Sequence, residues 1–141
     1  MQKLKIWLYF IITLLWISGL TFFILKTWFQ VPGEFGITTN PYQYTALQVH
    51  GFFALIMMVT FGYVLGTHVP KVFKLKPTRI LGILLVTVVS FQIITAYLLY
   101  YVVEDFARDV VEYLHLGAGI SLPFILIFHI YRNKLLKTKN K

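Results

Sequence analysis

The chain has no cysteine. That absence excludes disulfides, thiolate metal sites, iron–sulfur clusters and haem attached covalently through cysteine. Charge is scarce as well. Only 13% of the 141 residues are charged and just 5 are acidic, where a soluble domain carries about a quarter charged residues. This scarcity argues against a soluble enzyme, a nucleic-acid-binding domain and a disordered tail. What fills the chain instead is apolar: 58% hydrophobic, 18% aromatic, mean hydropathy +0.75. The net charge of +8 is no nucleic-acid footprint, because the basic residues sit at the ends of long apolar runs. No room remains for a large catalytic domain beside such runs, so function is expected inside or at the edge of a bilayer.

Four apolar runs are read as membrane helices, over about 6–28, 44–69, 80–103 and 110–131. Each has the roughly 20 residues that a helix needs to cross about 30 Å of hydrocarbon. An isolated run in lipid must satisfy its own backbone, which leaves the helix as the sensible conformation. The predicted fold class is all-α, a four-transmembrane-helix bundle forming a single integral membrane domain over 1–141. The connections are short. Residues 29–43 have a loop composition with Pro32, Gly33, Gly36, Asn40 and Pro41; PKVFKLKPTR at 70–79 is basic, and EDFARD at 104–109 is acidic.

Charge sets the expected orientation. Lys3, Lys5, Lys71, Lys74, Lys76, Arg79, Arg132, Lys134, Lys137, Lys139 and Lys141 fall on one side of these spans. Lys26, Arg108 and all the acids (Glu34, Glu104, Asp105, Asp109, Glu112) fall on the other. The positive-inside rule then puts both termini and the middle loop in the cytoplasm. The first run is too long for a signal-peptide core and has no small-residue cleavage site behind it, so it reads as an uncleaved anchor.

All four histidines lie in the expected spans: His50 and His68 on the second helix, His115 and His129 on the fourth. Ionisable side chains inside a span are costly and so are functional candidates. His50 and His68 are eighteen residues apart, about five full turns, so they share a face. His115 and His129 are fourteen apart, about 40° short of whole turns, and share one too. The two helices run in the same direction, so the histidines can form two facing pairs at two depths, His50 with His115 outside and His68 with His129 inside. Facing helices of a bundle are where cofactor sites are built, and two opposed imidazoles suit an iron porphyrin held from both sides. Ala54 and Gly119, each four residues beyond an outer histidine, leave room for a flat ring, and Ala46 and Ala118 add to it. Met57, Phe61, Leu122 and Leu126 would fill an apolar layer between the two levels. The ordinary alternatives are a hydrogen bond between helices for any single histidine, close packing for Gly62-x-x-x-Gly66, and a kink at Pro123. A zinc or copper site is disfavoured, since no His pair has i,i+3 or i,i+4 spacing and no acid lies mid-span.

With two histidines on each of the second and fourth helices and none on the first and third, the chain resembles a dihaem b-type membrane cytochrome. It is closest to the four-helix haem-binding core of cytochrome b from bc-type complexes. The stretch from His115-Leu-Gly-Ala-Gly through Leu-Pro to Phe128-His129-Ile-Tyr-Arg132 also resembles small stand-alone bacterial membrane cytochromes b. The resemblance implies that His50, His68, His115 and His129 are axial ligands of two haem b irons, in the bacterial inner membrane. It departs from the bc-type cores at the His50–His68 spacing. That separation is about 27 Å along the helix against about 21 Å for His115–His129, which leaves one haem as the alternative if His68 is not a ligand.

Two bis-histidine haems would carry electrons across the bilayer, with quinol as the expected donor and a redox protein or larger respiratory complex as partner. Arg108 outside and Arg132 inside are candidate propionate contacts, with Lys71 and Arg79 as further inner cations. Glu104, Asp105, Tyr100, Tyr101 and Gln92 are candidates for a quinone site; no catalytic residue is assigned. Two other readings stay open: a small quinone-linked oxidoreductase acting on an oxidant at the outer haem, and a haem-free anchor or assembly subunit. A transporter is poorly supported, because no inverted repeat is visible.

Overall fold

A computed structural model describes residues 2–72 and 79–139. Lys74, Lys76 and Lys141, counted above for orientation, lie outside the described residues, as do the side chains of Arg79, Lys137 and Lys139. The described chain is mostly helical. In order it forms α1 (Gln2–Thr27), a hairpin of β1 (Val31–Gly33) and β2 (Gly36–Thr38), α2 (Pro41–Thr67), a single turn α3 (Val69–Val72), α4 (Arg79–Tyr101) and α5 (Asp105–Lys139). Four helices, α1, α2, α4 and α5, are long and apolar enough to cross a membrane. Their flanks carry large apolar side chains in the open, Val59 at 77% and Ile127 at 64% exposure among them. Apolar surface of this extent is foreign to a monomer in water and natural in lipid.

The structure differs from the expected spans mainly at helix ends. The acidic stretch 104–109 is not a connection. Glu104 caps α5, its carboxylate accepting the main-chain N–H groups of Phe106 (3.2 Å) and Ala107 (2.6 Å). At its other end α5 continues well past the apolar run to Lys139. Asp105 in the first turn favours the helix through its dipole. Hydrophobicity alone registers none of these ends. Pro123 lies within α5, which continues through it; lacking an N–H, it leaves the Gly119 carbonyl without its usual intrahelical donor. Asn40 plays the capping role at α2. Its Oδ1 accepts from the N–H of Tyr42 at 2.9 Å, while its Nδ2 donates to the Phe29 carbonyl at 2.8 Å and closes the base of the preceding connection.

That connection is itself structured, where sequence composition predicted a loop. Val31 pairs with Thr38, Pro32 with Ile37 and Gly33 with Gly36, around a two-residue tip of Glu34 and Phe35. Gly36 has φ +123°, a conformation other residues rarely adopt.

The chain divides into two compact units, Met1–Gly62 and Tyr63–Lys141. In the first, α1 and α2 are joined through the hairpin, and Ile11, Ile12, Ser18, Met57 and Phe61 are buried. In the second, α4 packs along α5, and Leu81, Val89, Thr95 and Leu122 are buried. Gly62 and Gly66 do not mark a close helix contact. A Cβ at either would meet nothing within 4 Å, so the close-packing reading of this pair finds no partner among the described residues.

Candidate functional site

Part of each histidine stripe is buried within its own unit. Met57 and Phe61, the buried residues of α2, lie seven and eleven positions beyond His50, on its face of the helix. Leu122 lies seven beyond His115 in the same way and is buried. Leu126 is half-buried, as are Ala46, Ala54 and Ala118.

His50 belongs to the first unit. Its Nδ1 lies 3.0 Å from the Leu15 carbonyl oxygen and 3.2 Å from Ser18 Oγ, both on α1. Helix α1 comes this close because residue 19 is glycine: a Cβ there would stand 2.9 Å from His50 Cε1. A carbonyl oxygen can only accept, so in the neutral ring the Nδ1 carries the proton and donates it. The serine agrees. Its single hydrogen is directed at the Leu14 carbonyl, 2.7 Å away, which leaves its oxygen to accept from Nδ1. The lone pair of His50 therefore sits on Nε2. An open, mainly apolar cleft of about 340 Å³ runs between α1 and α2 beside this contact, lined in part by Leu14, Ser18, Ala46 and Val49.

His115 belongs to the second unit and repeats the arrangement. Its Nδ1 is 2.8 Å from Thr95 Oγ1 on α4. Thr95 Oγ1 also bonds the Phe91 carbonyl of its own helix at 2.8 Å. One turn earlier on α4, Gln92 Nε2 donates to the main-chain oxygen of His115 at 2.7 Å. The same amide occupies the space beside Gly119, where a Cβ would come within 3.0 Å of it. The room made by Gly119 is thus used by Gln92.

The remaining pair is built differently. His68 is the first residue beyond α2, its N–H extending the last turn to the Val64 carbonyl at 2.9 Å. On α5, His129 Nε2 accepts from Asn133 Nδ2 at 3.0 Å. Its Nδ1 is buried without a hydrogen-bond partner among the described residues. Gly82 of α4 lies against this ring, a Cβ there meeting Cε1 at 3.9 Å. No group of three or more His, Asp or Glu side chains gathers as a metal cage among the described residues.

The candidate propionate and quinone residues are dispersed. Arg108 Nη1 donates to the carbonyls of Leu99 (3.0 Å) and Val102 (3.2 Å), closing the end of α4. Arg132 and Lys71 are exposed. Glu104 is engaged as the cap of α5, Asp105 opens that helix in the open, and Tyr100 and Tyr101 are exposed, Tyr101 stacked on Tyr97 at 4.6 Å between centroids.

Sequence reasoning did not pick out Ser18, Gly19, Thr95 or Asn133. A signal for the first three exists: Ser18-Gly19 and Thr95-Ala96 each set a hydroxyl beside a small residue in the middle of an apolar run. Ser18 and Thr95 are also the two buried polar side chains among the described residues. No protein-family model, no curated protein and no solved structure matches the chain, so the reading of its function stands on these residues.

Proposed function

We propose that the chain is a membrane b-type cytochrome that moves electrons across the bacterial inner membrane. Its four long helices would span the bilayer as a bundle with both termini in the cytoplasm. His50 and His115 would ligate one haem b on the outer side, and His68 and His129 a second on the inner side. The electrons would pass between membrane quinol and a redox protein partner. One observation carries this reading: Nδ1 of His50 and Nδ1 of His115 each meet an oxygen of the preceding long helix, Leu15 O at 3.0 Å and Thr95 Oγ1 at 2.8 Å. A metal-bound histidine almost always donates its other ring N–H to an oxygen acceptor, which fixes its tautomer and orientation.

When bound, haem supplies reversible one-electron chemistry, and two histidine ligands leave the iron no open position for oxygen. The chain's own residues do the rest. Leu15, Ser18 and Thr95 orient the imidazoles, and the apolar residues Met57, Phe61 and Leu122 exclude water from the layer beyond them.

A specific observation favours a second reading, in which only the outer haem binds. Asn133 already occupies Nε2 of His129, and its amide has to leave before that nitrogen can ligate. The haem-to-protein ratio of the purified chain, with its oxidised and reduced spectra, tests both. Two haems give a low-spin b-type spectrum and a ratio near two, reduced by about one in His68→Ala or His129→Ala. A ratio near one that those variants leave unchanged establishes the single-haem reading. A colourless protein from haem-replete cells overturns both and favours the anchor subunit.

A further inference from the structure

Helix α5 does not stop where its apolar run stops. It continues to Lys139, and its character changes abruptly after Tyr131. The stretch 132–141 holds the cations Arg132, Lys134, Lys137, Lys139 and Lys141 and no acid, the nearest acid before it being Glu112. At this junction the surface of α5 carries an open groove of about 260 Å³, lined by Ile127, Ile130, Tyr131 and Lys134. The groove is graded along the helix axis. Ile127 and Ile130 lie inside the apolar run, Tyr131 ends it, and Lys134 stands two turns beyond Ile127, about 10 Å further along. Ile127, Tyr131 and Lys134 are all exposed. The Lys134 ammonium has no hydrogen bond or ion pair among the described residues. The groove is also apart from the histidine stripe, because His129 is two positions from Ile127 and so about 200° round the helix.

We propose that this groove binds an anionic phospholipid, its phosphate on the Lys134 ammonium and an acyl chain along Ile127 and Ile130. The inference rests on α5 lying in a bilayer and is independent of haem. Charge selects the ligand: a run of cations without an acid at the end of a membrane helix attracts anionic headgroups. The apolar half selects it further. A water-soluble acid or an acidic protein would meet Lys134 but would not reach Ile127 within the apolar run, whereas a lipid presents both parts in the same order as the groove. Tyr131 stands at the junction, where aromatic rings favour the level of the headgroups. The flexible Lys134 stem can lie along apolar surface while its ammonium stays at the phosphate. Lys137, one turn further on, continues the same face by register. A basic flank that served only to orient the chain would act from any side of the helix. This groove needs its cation on one side.

The test is native mass spectrometry of the full chain released from detergent, titrated with dioleoyl phosphatidylglycerol or dioleoyl phosphatidylcholine. Inorganic phosphate and polyglutamate serve as competitors. The anionic lipid should be retained and the zwitterionic one lost. Lys134→Gln should weaken retention about fivefold, the worth of one lysine at an anionic surface. Ile127→Ser, which leaves the charge intact, should weaken it as well. The decisive variant exchanges neighbours, Lys134→Leu with Leu135→Lys. It keeps the net charge and the basic flank but moves the cation about 100° round the helix, and it should lose as much as Lys134→Gln. Wild-type retention in the exchanged variant would show a diffuse charge effect and overturn the groove. Equal retention of the two lipids overturns the proposal outright. Displacement of the lipid by millimolar phosphate would make the site one for a free anion, and displacement by polyglutamate one for an acidic protein; either overturns it. If the exchanged variant does not fold, Lys134→Gln and Ile127→Ser decide, and full retention in both overturns the proposal. None of these readings changes with haem content, so a colourless protein defeats the cytochrome reading and leaves this one to its own result.

Discussion

At Gly19, α1 meets the His50 ring of α2 where a single methyl group is missing. With the His50 ring pinned through Nδ1 to Leu15 and Ser18, it cannot yield to a Cβ placed 2.9 Å from its Cε1. Gly19→Ala should therefore push α1 outward and cost about 1–3 kcal/mol, the usual range for overpacking a close contact. Gly66→Ala offers the contrast, because a Cβ there meets nothing. It should be neutral or stabilising by up to about 1 kcal/mol, as expected for replacing a helical glycine. Thermal unfolding in detergent measures both, and equal losses would show that Gly66 packs as tightly as Gly19. The stripe of His50, Met57 and Phe61 was legible from spacing alone, since helical periodicity assigns a face without knowing what the face meets. Ser18 and Thr95 were not. A hydroxyl in an apolar run looks the same whether it only bonds its own helix or also meets an imidazole. The difference depends on the pairing of helices thirty-two or twenty residues apart.

Among the elements, the long helices were legible because an apolar run of that length has few other conformations in lipid. Their ends were not, because caps and dipoles set them rather than hydrophobicity. Glu104 caps α5, which begins five residues before the apolar run, and Arg108 closes α4 by reaching back to carbonyls at its end. The β hairpin escaped for a related reason: strands of three residues are too short to show alternation, and only the glycines on either side of Glu34-Phe35 mark the turn. These capping assignments lead to a test of roles. Glu104→Ala should cost about 1 kcal/mol, as for other lost N-caps. Arg108→Ala should cost a similar amount by releasing two carbonyls. Neither should lower haem content if capping is the whole of their work. A loss of haem in Arg108→Ala with unchanged stability would instead restore its candidacy as a propionate contact.

For the whole molecule, the expectation about orientation comes from charge. Eleven of the 13 basic residues lie on the side assigned to the cytoplasm. A reporter fused after Lys141 should therefore be cytoplasmic. One inserted at the Glu34–Phe35 tip, where the two-residue turn tolerates a break, should be external. Paired alkaline phosphatase and green fluorescent protein fusions measure this, and the reverse pattern would exchange the two haem depths.

The bonds that join α4 to α5 also have a mechanical meaning. Thr95 holds the His115 ring, Gln92 holds its main chain, and Gly82 lies against His129. A slide of one helix along the other by even a single residue, about 1.5 Å, would break the first two bonds together. The levels of His115 and His129 are therefore notches cut in one rigid rail, roughly 21 Å apart along α5. A bilayer that thins or thickens around the protein can tilt that rail but not re-space it. The spacing of the two histidine levels on α5 is thus written into the protein and is independent of the lipid.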